Sequence, residues 1–330
     1  MRLMSTTGRQ PTAAVVVMAL VATGCGLGDG EAVGGWCRSE VVASVDDPEG
    51  TMRLVRVRPG GEVTEIAVEW PDDEVSEPAS RPDFSPDGER MVVVRADGDY
   101  ESAGPEATWL WTMAADGSDP RPVTSGDVYD NHPDWSPDGT MIAFTRFEPT
   151  VDGSRGPRLM LVDAAEPGPP RALLGDARGD DRAPRWSPDG RRLAFIRSET
   201  PLEDGSDSAT TVMVVGADGA GLREIATVDD ARTVDWLPHG DALLVSSPTS
   251  GAASTVHLVD VDTGESRPLI DDAAEAVRAP PSSDGEGDDA RIWYLTVVEG
   301  DDDLSEEWRL QHARLVDDGT AARVEPLGDS

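Results

Sequence analysis

The sequence predicts an all-β protein assembled from one repeated four-stranded unit. Three segments, "RPDFSPDGERMVVVR" (81–95), "NHPDWSPDGTMIAFTR" (131–146) and "APRWSPDGRRLAFIR" (183–197), share an aromatic residue, a Ser-Pro-Asp-Gly turn and a mostly apolar strand. A fourth copy at 233–247 and a degenerate copy at 279–296 continue the series. The turn glycines recur about every 50 residues, which is typical of an array of one supersecondary unit. Four antiparallel strands at this spacing describe a β-propeller blade.

The turn motif explains why every copy reverses direction at the same place. Its serine offers a side-chain acceptor, its proline fixes φ, and its aspartate and glycine suit the last positions of a type I turn. The predicted structural turn positions are Asp87, Gly88, Asp138, Gly139, Asp189, Gly190 and Gly240. The strand that follows is apolar on both faces, as in Met91, Val92 and Val93, which predicts a strand covered on both sides. Hairpin turns at 114–120, 216–221 and 261–266 then lead to the third and fourth strands.

Counting the repeats predicts six blades. Residues 36–78 contain the second, third and fourth strands but no turn motif, and are interpreted as a degenerate first blade. The predicted blades are about 36–78, 79–130, 131–181, 182–232, 233–277 and 278–330. The C-terminal 321–330 resembles an outer strand of the last blade, and the sequence does not show what closes the ring.

Residues 1–24 have the pattern of an export signal: two arginines, the apolar run 13–22 and small residues before Cys25. Such a run is too short to span a bilayer of about 30 Å as a helix. The ending Ala22-Thr23-Gly24-Cys25 resembles the bacterial lipobox, which implies lipidation of Cys25 as the first mature residue. Residues 25–35 would then be a lipidated tether, and acyl chains would hold the protein on the outer face of the cytoplasmic membrane. An ordinary secretory signal, which releases the protein, is the alternative.

Composition narrows the classes of partner and cofactor. There are 64 acidic and 28 basic residues, a net charge of −36, which disfavours nucleic acid. The only cysteines are Cys25 and Cys37, so no zinc cluster or disulfide scaffold is available; a disulfide between them is the alternative to lipidation. The acidic stretches 95–104 and 299–307 do not fit the calcium-loop pattern and are interpreted as solvated loops. No metal and no cofactor are predicted.

The repeat resembles a known family. Pro133, Trp135, the turn 136–139 and Ala143-Phe144, with their counterparts, are similar to the WD40-like repeat of the TolB propeller family. The same repeat is similar to those of prolyl-oligopeptidase-type peptidases. A TolB protein carries an α/β domain before its propeller and the peptidases add an α/β-hydrolase domain, and we expect neither segment in this sequence.

Polar segments before each predicted first strand are the candidate binding site. They lie at 80–84, 131–135, 180–186, 229–236 and 277–282, and as loops round a channel mouth they would present a ring. The predicted ring residues are Arg81, Asn131, His132, Arg182, Arg232 and Arg278. Guanidinium groups match carboxylates in bidentate fashion, so the ring suits an acidic group. The alternative is that neighbouring aspartates, such as Asp180 and Asp230, simply pair with these arginines.

No catalytic residue is predicted, because no G-x-S-x-G elbow occurs and the four histidines share no spacing. We therefore expect a monomeric, non-enzymatic module that binds a protein or peptide partner in the cell envelope. Two alternatives stay open. One is a channel-mouth enzyme, a hydrolase, lactonase or lyase of envelope carbohydrate that uses His132 with Asp130. The other is a sensor of a small anionic ligand.

Overall fold

The computed structural model describes most of the repeat region and short parts of the flanks. The described residues are 17–18, 41–46, 52–57, 63–71, 80–97, 107–149, 155–175, 179–198, 209–247, 255–278, 291–299, 306–317 and 322–326. Within these ranges all regular structure is β-strand, which confirms the predicted all-β class. None of these residues belongs to a helix long and apolar enough to cross a membrane.

The strands form successive antiparallel sheets in which neighbours in sequence are neighbours in space. The first sheet contains β1 (Val17–Met18), β2 (Val41–Asp46), β3 (Met52–Val57) and β4 (Val63–Glu65). The second contains β5 (Ser80–Phe84), β6 (Arg90–Asp97), β7 (Ala107–Ala114) and β8 (Arg121–Pro122). The third contains β9 (Tyr129–Trp135), β10 (Met141–Pro149), β11 (Arg155–Asp163) and β12 (Arg171–Ala172). A single parallel pairing, Thr108 with Tyr129, joins the second sheet to the third.

Three further sheets continue the same pattern. The fourth contains β13 (Asp180–Trp186), β14 (Arg192–Ser198), β15 (Ala209–Gly216) and β16 (Arg223–Asp229). The fifth contains β17 (Thr233–Trp236), β18 (Ala242–Ser247), β19 (Thr255–Asp260) and β20 (Ser266–Asp271). The last contains β21 (Ala273–Arg278), β22 (Arg291–Glu299), β23 (Glu306–Asp317) and β24 (Ala322–Pro326). In the described ranges no strand pairing links the first sheet to the last, so ring closure and the number of blades stay predictions.

The first sheet contains a strand from the predicted export signal. Val17 and Met18 pair with Ser44 and Ala43 of β2. Cleavage after residue 24 would remove β1 and leave β2 as the inner edge of this sheet. Cys25 and Cys37 lie outside the described residues, and the predicted signal, tether and lipid remain predictions.

Apolar side chains between adjacent sheets form the core. Val92 and Leu110 of the second sheet pack with Trp135 and Phe144 of the third. Further along, Trp186 and Trp236 occupy the same place in the next two interfaces, and Trp236 is fully buried. The repeat aromatics therefore pack between adjacent sheets. Burial of such large rings is a strong source of stability, because each removes about 150–250 Å² from water.

The Ser-Pro-Asp-Gly segments form hydrogen-bonded turns between the first and second strands of a sheet. In the third sheet, Gly139 N–H donates to the Ser136 carbonyl at 2.9 Å and Gly139 has φ +74°. Ser136 Oγ lies 2.7 Å from Asp138 Oδ1, which also accepts the Thr140 N–H at 3.0 Å. The turn therefore satisfies its own polar groups, which explains why serine and aspartate accompany glycine in this motif.

Candidate functional site

The inner edges of four consecutive sheets surround one pocket of about 20 Å³, room for roughly one water-sized group. Its four central residues each stand three positions before the repeat aromatic of β5, β9, β13 or β17. We call it the inner-strand pocket; it is lined by Arg81, His132, Pro133, Ala183, Pro184, Arg185 and Thr233. One repeat position thus supplies a lining residue from each of four sheets.

An irregularity in the inner strands presents these side chains. Arg81, His132 and Ala183 have φ of 50°, 51° and 54°, in the left-handed region that non-glycine residues seldom adopt. The pairing register of β5 and of β13 with the next strand shifts at this point. A bulge re-aims side chains and bends its strand, and such strain is typical of functional sites.

The sequence-based expectation that 80–84, 131–135 and 180–186 are loops is wrong. These residues are the strand β5, most of the strand β9 and the whole strand β13. Their polar composition did not indicate strands, because the bulged residues face the pocket instead of alternating between core and solvent.

The pocket holds His132 in its neutral form. Removal from water and the charges of Arg81, Arg185 and Arg182 lower the pKa of His132 well below 6.5. All the charges that act on this imidazole are therefore positive, so the potential around it favours an anion. The His132 backbone N–H donates to Asn131 Oδ1 at 2.8 Å, which orients the neighbouring side chain.

Three polar atoms at or beside the pocket are buried without a hydrogen-bond partner among the described residues. They are His132 Nδ1, Thr233 Oγ1 and Arg182 Nε. Buried polar atoms in a folded protein are normally satisfied, and an unsatisfied atom costs about 1–3 kcal/mol. Their clustering beside the inner-strand pocket indicates a place where a polar ligand or water completes the hydrogen bonding.

A cluster of buried and half-buried charged residues lies next to the pocket, two residues further along each inner strand. The residue directly before the aromatic is Asp83, Asp134, Arg185 or Asp235, and we call these four the acid–guanidinium cluster. Asp134 Oδ1 accepts from Arg185 Nη1 at 3.0 Å. Burial and the charge of Asp134 raise the pKa of Asp83 to about 7. Burial likewise raises the pKa of Asp134, although Arg185 opposes the shift.

The predicted ring residues are only partly gathered. Arg81 and His132 line the pocket and Asn131 adjoins it. Arg182 Nη2 lies 3.8 Å from Asp180 Oδ2, and Arg232 Nη2 lies 3.2 Å from Asp230 Oδ2. The alternative of local pairing thus applies to these two arginines. Arg278 ends β21, and its side chain lies outside those described.

The pairing of His132 with Asp130, considered for an enzyme, is not formed. Asp130 is fully buried and accepts from Arg146 Nε and Nη2, both at 2.7 Å. The same bidentate pair recurs one repeat later between Asp181 and Arg197. Asp130 is therefore occupied as the counter-ion of Arg146.

Sequence reasoning missed Arg185, Thr233 and the buried acids. Aligning the repeats on their aromatics would have shown that arginine replaces aspartate at one position, "APRW" against "RPDF" and "NHPDW". Among the described residues no three His, Cys, Asp or Glu side chains are placed to hold a metal ion.

Comparison with known proteins supports the fold and widens the functional classes. No family model matches the chain. It is 28% identical over 116 residues to the uncharacterized peptidase YuxL of Bacillus subtilis, and 29% identical over 121 residues to the uncharacterized protein Atu1656 of Agrobacterium fabrum. These matches cover 34% and 35% of this chain but only 16% and 39% of the relatives, so the matched part is less than half of either.

Among solved structures, a TolB protein from Agrobacterium tumefaciens superposes with a TM-score of 0.51 and 19% identity, covering 71% of this chain and 77% of that one. Oligogalacturonate lyase from Vibrio parahaemolyticus gives a TM-score of 0.55 and 10% identity, covering 94% and 92%. Puromycin hydrolase gives 0.53 and 14% identity, covering 87% and 44%. TolB and oligogalacturonate lyase are β-propellers, so this chain has a propeller-type fold.

The expectation that the chain is not an enzyme is wrong. The proteins to which it is similar include a lyase, a hydrolase and a relative named as a peptidase. The absence of a G-x-S-x-G elbow from the sequence did not exclude catalysis, because proteins of one fold can be binding proteins or enzymes and the difference lies in individual sites.

Proposed function

We propose that this protein is an exported, lipid-anchored six-bladed β-propeller that binds an acidic group of a protein or peptide partner at the mouth of its central channel. The observation that carries the proposal is the inner-strand pocket, where side chains from four consecutive repeats converge with unpartnered polar atoms. The TolB likeness and the N-terminal lipobox pattern support the envelope location and the anchor at Cys25.

The chemistry of the pocket favours a carboxylate. Arg182 Nε and the Thr233 hydroxyl are donors, and His132 Nδ1 donates in one of its two neutral tautomers. Charge-assisted hydrogen bonds from guanidinium to carboxylate are about twice as strong as neutral ones. The rest of the protein carries a large negative charge, which repels acidic partners elsewhere. Acidic groups should therefore be bound at this pocket and excluded from most of the remaining surface.

Crosslinking of the membrane-anchored protein, followed by mass spectrometry, tests the proposal. We expect wild type to recover a partner whose yield falls in Arg81→Ala and Arg182→Ala variants. Arg223→Ala is the matched control, because Arg223 is an exposed arginine at the start of β16. Equal yields of the crosslinked partner from wild type and from both pocket variants would show that the pocket does not bind the partner.

A second candidate function is catalysis at the same pocket, and one observation favours it. His132 is neutral among arginines, so its imidazole can accept a proton while guanidinium groups hold an acidic substrate. Peptides and acidic oligosaccharides are the substrates to try, given the names of the similar proteins. Turnover that His132→Gln abolishes and Arg223→Ala leaves intact supports this function; turnover that survives His132→Gln would exclude His132 as the base.

A further inference from the structure

The acid–guanidinium cluster contains more carboxylates than cations. Asp83, Asp134 and Asp235 come from three different inner strands, and Arg185 from the strand between the last two. All three acids act electrostatically on Arg185, and Asp134 also forms an ion pair with it at 3.0 Å. Because Arg185 is hydrogen-bonded to Asp134, the buried Asp83 is left, among the described residues, without an ion pair to offset its charge when it is ionised.

Asp83 differs from Asp134 in what compensates its charge. Its Oδ2 accepts the Trp135 N–H at 2.6 Å, but in the described part of the chain its carboxylate forms no ion pair. Its exposed fraction is 8%, so water compensates little of its charge. Asp83 therefore loses less than Asp134 when its carboxylate is protonated, because protonation of Asp134 also breaks the ion pair with Arg185.

Arg185 connects the cluster to the inner-strand pocket. It lines the pocket while its Nη1 donates to Asp134. An anion in the pocket would interact with Arg185, which already compensates the charge of Asp134. It would also add one negative charge to the same low-dielectric region. Loss of one carboxylate charge from the cluster would offset this addition.

We propose that the pocket binds an anionic group together with one proton, and that Asp83 is the residue that takes the proton from water. This inference rests on the proposed function, since it needs an anion in the inner-strand pocket. The step leaves the net charge of the region unchanged: the anion adds one negative charge, and conversion of the Asp83 carboxylate to the carboxylic acid removes one.

The direction of the pH dependence follows from Asp83 and the groups that face it. Asp134 of β9 raises its pKa and Arg185 of β13 lowers it, while Arg81 and His132 stand on the pocket side and Asp235 faces Arg185. Below about pH 7 Asp83 is already protonated and the anion binds without proton uptake. Above that pH each anion must bring a proton, so its apparent Kd should rise about tenfold per pH unit.

Titration of the full chain with acetate tests the inference. Acetate can place one carboxylate oxygen, an atom of about the size of water, in the pocket, and acetamide is the uncharged control. Binding is followed by NMR chemical shifts at constant ionic strength between about pH 6 and about pH 8.5. We expect acetate affinity to fall with pH in wild type, and uptake approaching one proton per bound acetate, measured by pH-stat titration above pH 7.

Two variants assign the proton. Asp83→Asn retains an oxygen that accepts the Trp135 N–H, and it should bind acetate without pH dependence or proton uptake. His132→Gln should bind acetate more weakly, because His132 lines the pocket, but it should retain the proton uptake per bound acetate, which separates Asp83 from the imidazole. Acetate binding with no proton uptake in wild type would overturn the inference and leave the proposed function intact. No binding of acetate at any pH would overturn both, and the wild-type measurement decides even if Asp83→Asn does not fold.

Discussion

Asp134 and Trp186, 52 residues apart in the chain, are joined across two sheets by a hydrogen bond of 2.5 Å from the Trp186 backbone N–H to Asp134 Oδ2. Asp83 accepts from the Trp135 N–H in the same way one repeat earlier, at 2.6 Å. In these two repeats the aspartate before the aromatic therefore attaches its own sheet to the next one, whereas Asp235 accepts from the N–H of its own neighbour Trp236. In the fourth sheet the position is Arg185, which cannot accept, and its carbonyl instead accepts from Trp236 Nε1 at 3.0 Å.

Replacing Asp134 should destabilise the protein strongly. Asp134→Ala removes both the acceptor of the Trp186 N–H and the ion-pair partner of Arg185, which stays charged in a buried place. The unsatisfied Trp186 N–H alone typically costs about 1–3 kcal/mol, and the charge of Arg185 remains partly offset by Asp83 and Asp235. Urea unfolding followed by tryptophan fluorescence measures the change. The exposed Asp127→Ala is the control with the same charge change and should stay within about 0.5 kcal/mol of wild type.

The buried pair of Asp181 with Arg197 should matter less for stability than either single substitution suggests. The two bonds measure 2.7 and 2.9 Å, and Asp181 is fully buried. Asp181→Leu alone leaves Arg197 without its partner and should cost about 3 kcal/mol. Asp181→Leu with Arg197→Met should recover most of that loss, because an apolar pair removes both desolvation costs.

A double-mutant cycle in urea decides this second prediction. Coupling between the two substitutions should exceed about 1 kcal/mol. Additive losses would mean that the guanidinium is compensated by water or by other groups, and that the ion pair is not the reason for the cost.

The repeat, its turns and its buried second strands could be predicted from sequence because each is a local pattern. Pro137 and Gly139 specify a turn, and apolar residues on both faces of 141–146 specify a covered strand, whatever lies elsewhere. The pocket could not be predicted in this way. His132 lines it because its strand is bulged and its φ is positive, and neither property has a signature in the residue types of "NHPDW".

The buried charges also depend on partners that are remote in sequence. The hydrogen-bond partner of Asp134 lies one repeat and one residue further along the chain, so the segment around Asp134 does not show it. Arg185 was visible as an exception to the aspartate of the other repeats, yet its role depends on three acids from other inner strands. The sequence-based ring included Arg81 and His132, which line the pocket, but not Arg185.

Gly139 should be required because its backbone has a positive φ, and not because a side chain would lack space there. Its φ is +74°, and an added Cβ would meet only the Pro86 ring at 3.7 Å, an ordinary contact. Gly139→Ala should therefore cost about 1–2 kcal/mol, the penalty of the left-handed region for an L-residue. Gly168→Ala is the matched control, because an added Cβ meets nothing within 4 Å and φ is not in that region. Differential scanning calorimetry that shows equal Tm shifts for both variants would contradict the explanation.

Asp83 should make the free energy of unfolding depend on pH in a direction opposite to that of most acids. Its pKa is raised from 3.8 to about 7 by burial and by Asp134, so between these values the folded protein holds a proton that the unfolded chain has released. The stability that this group contributes therefore falls as pH rises through that window, by up to about 1.4 kcal/mol per pH unit. Asp83→Asn has no such titration, so its stability relative to wild type should improve from about pH 4 to about pH 7 and then level off. Urea midpoints of Asp83→Asn and wild type across this pH range measure the difference in stability. The titration of other groups largely cancels, because both proteins contain them.

Asp116→Asn provides the control of opposite sign. Hydrogen bonds from Ser118 lower the pKa of Asp116, so the stability it contributes is lost as pH falls through its folded pKa. Relative to wild type, Asp116→Asn should therefore become less stable as pH rises through about 4, where Asp83→Asn starts to gain. A pH-independent difference between Asp83→Asn and wild type would show that Asp83 titrates alike in the folded and unfolded chain, and that water or an ion pair compensates the carboxylate in its buried position.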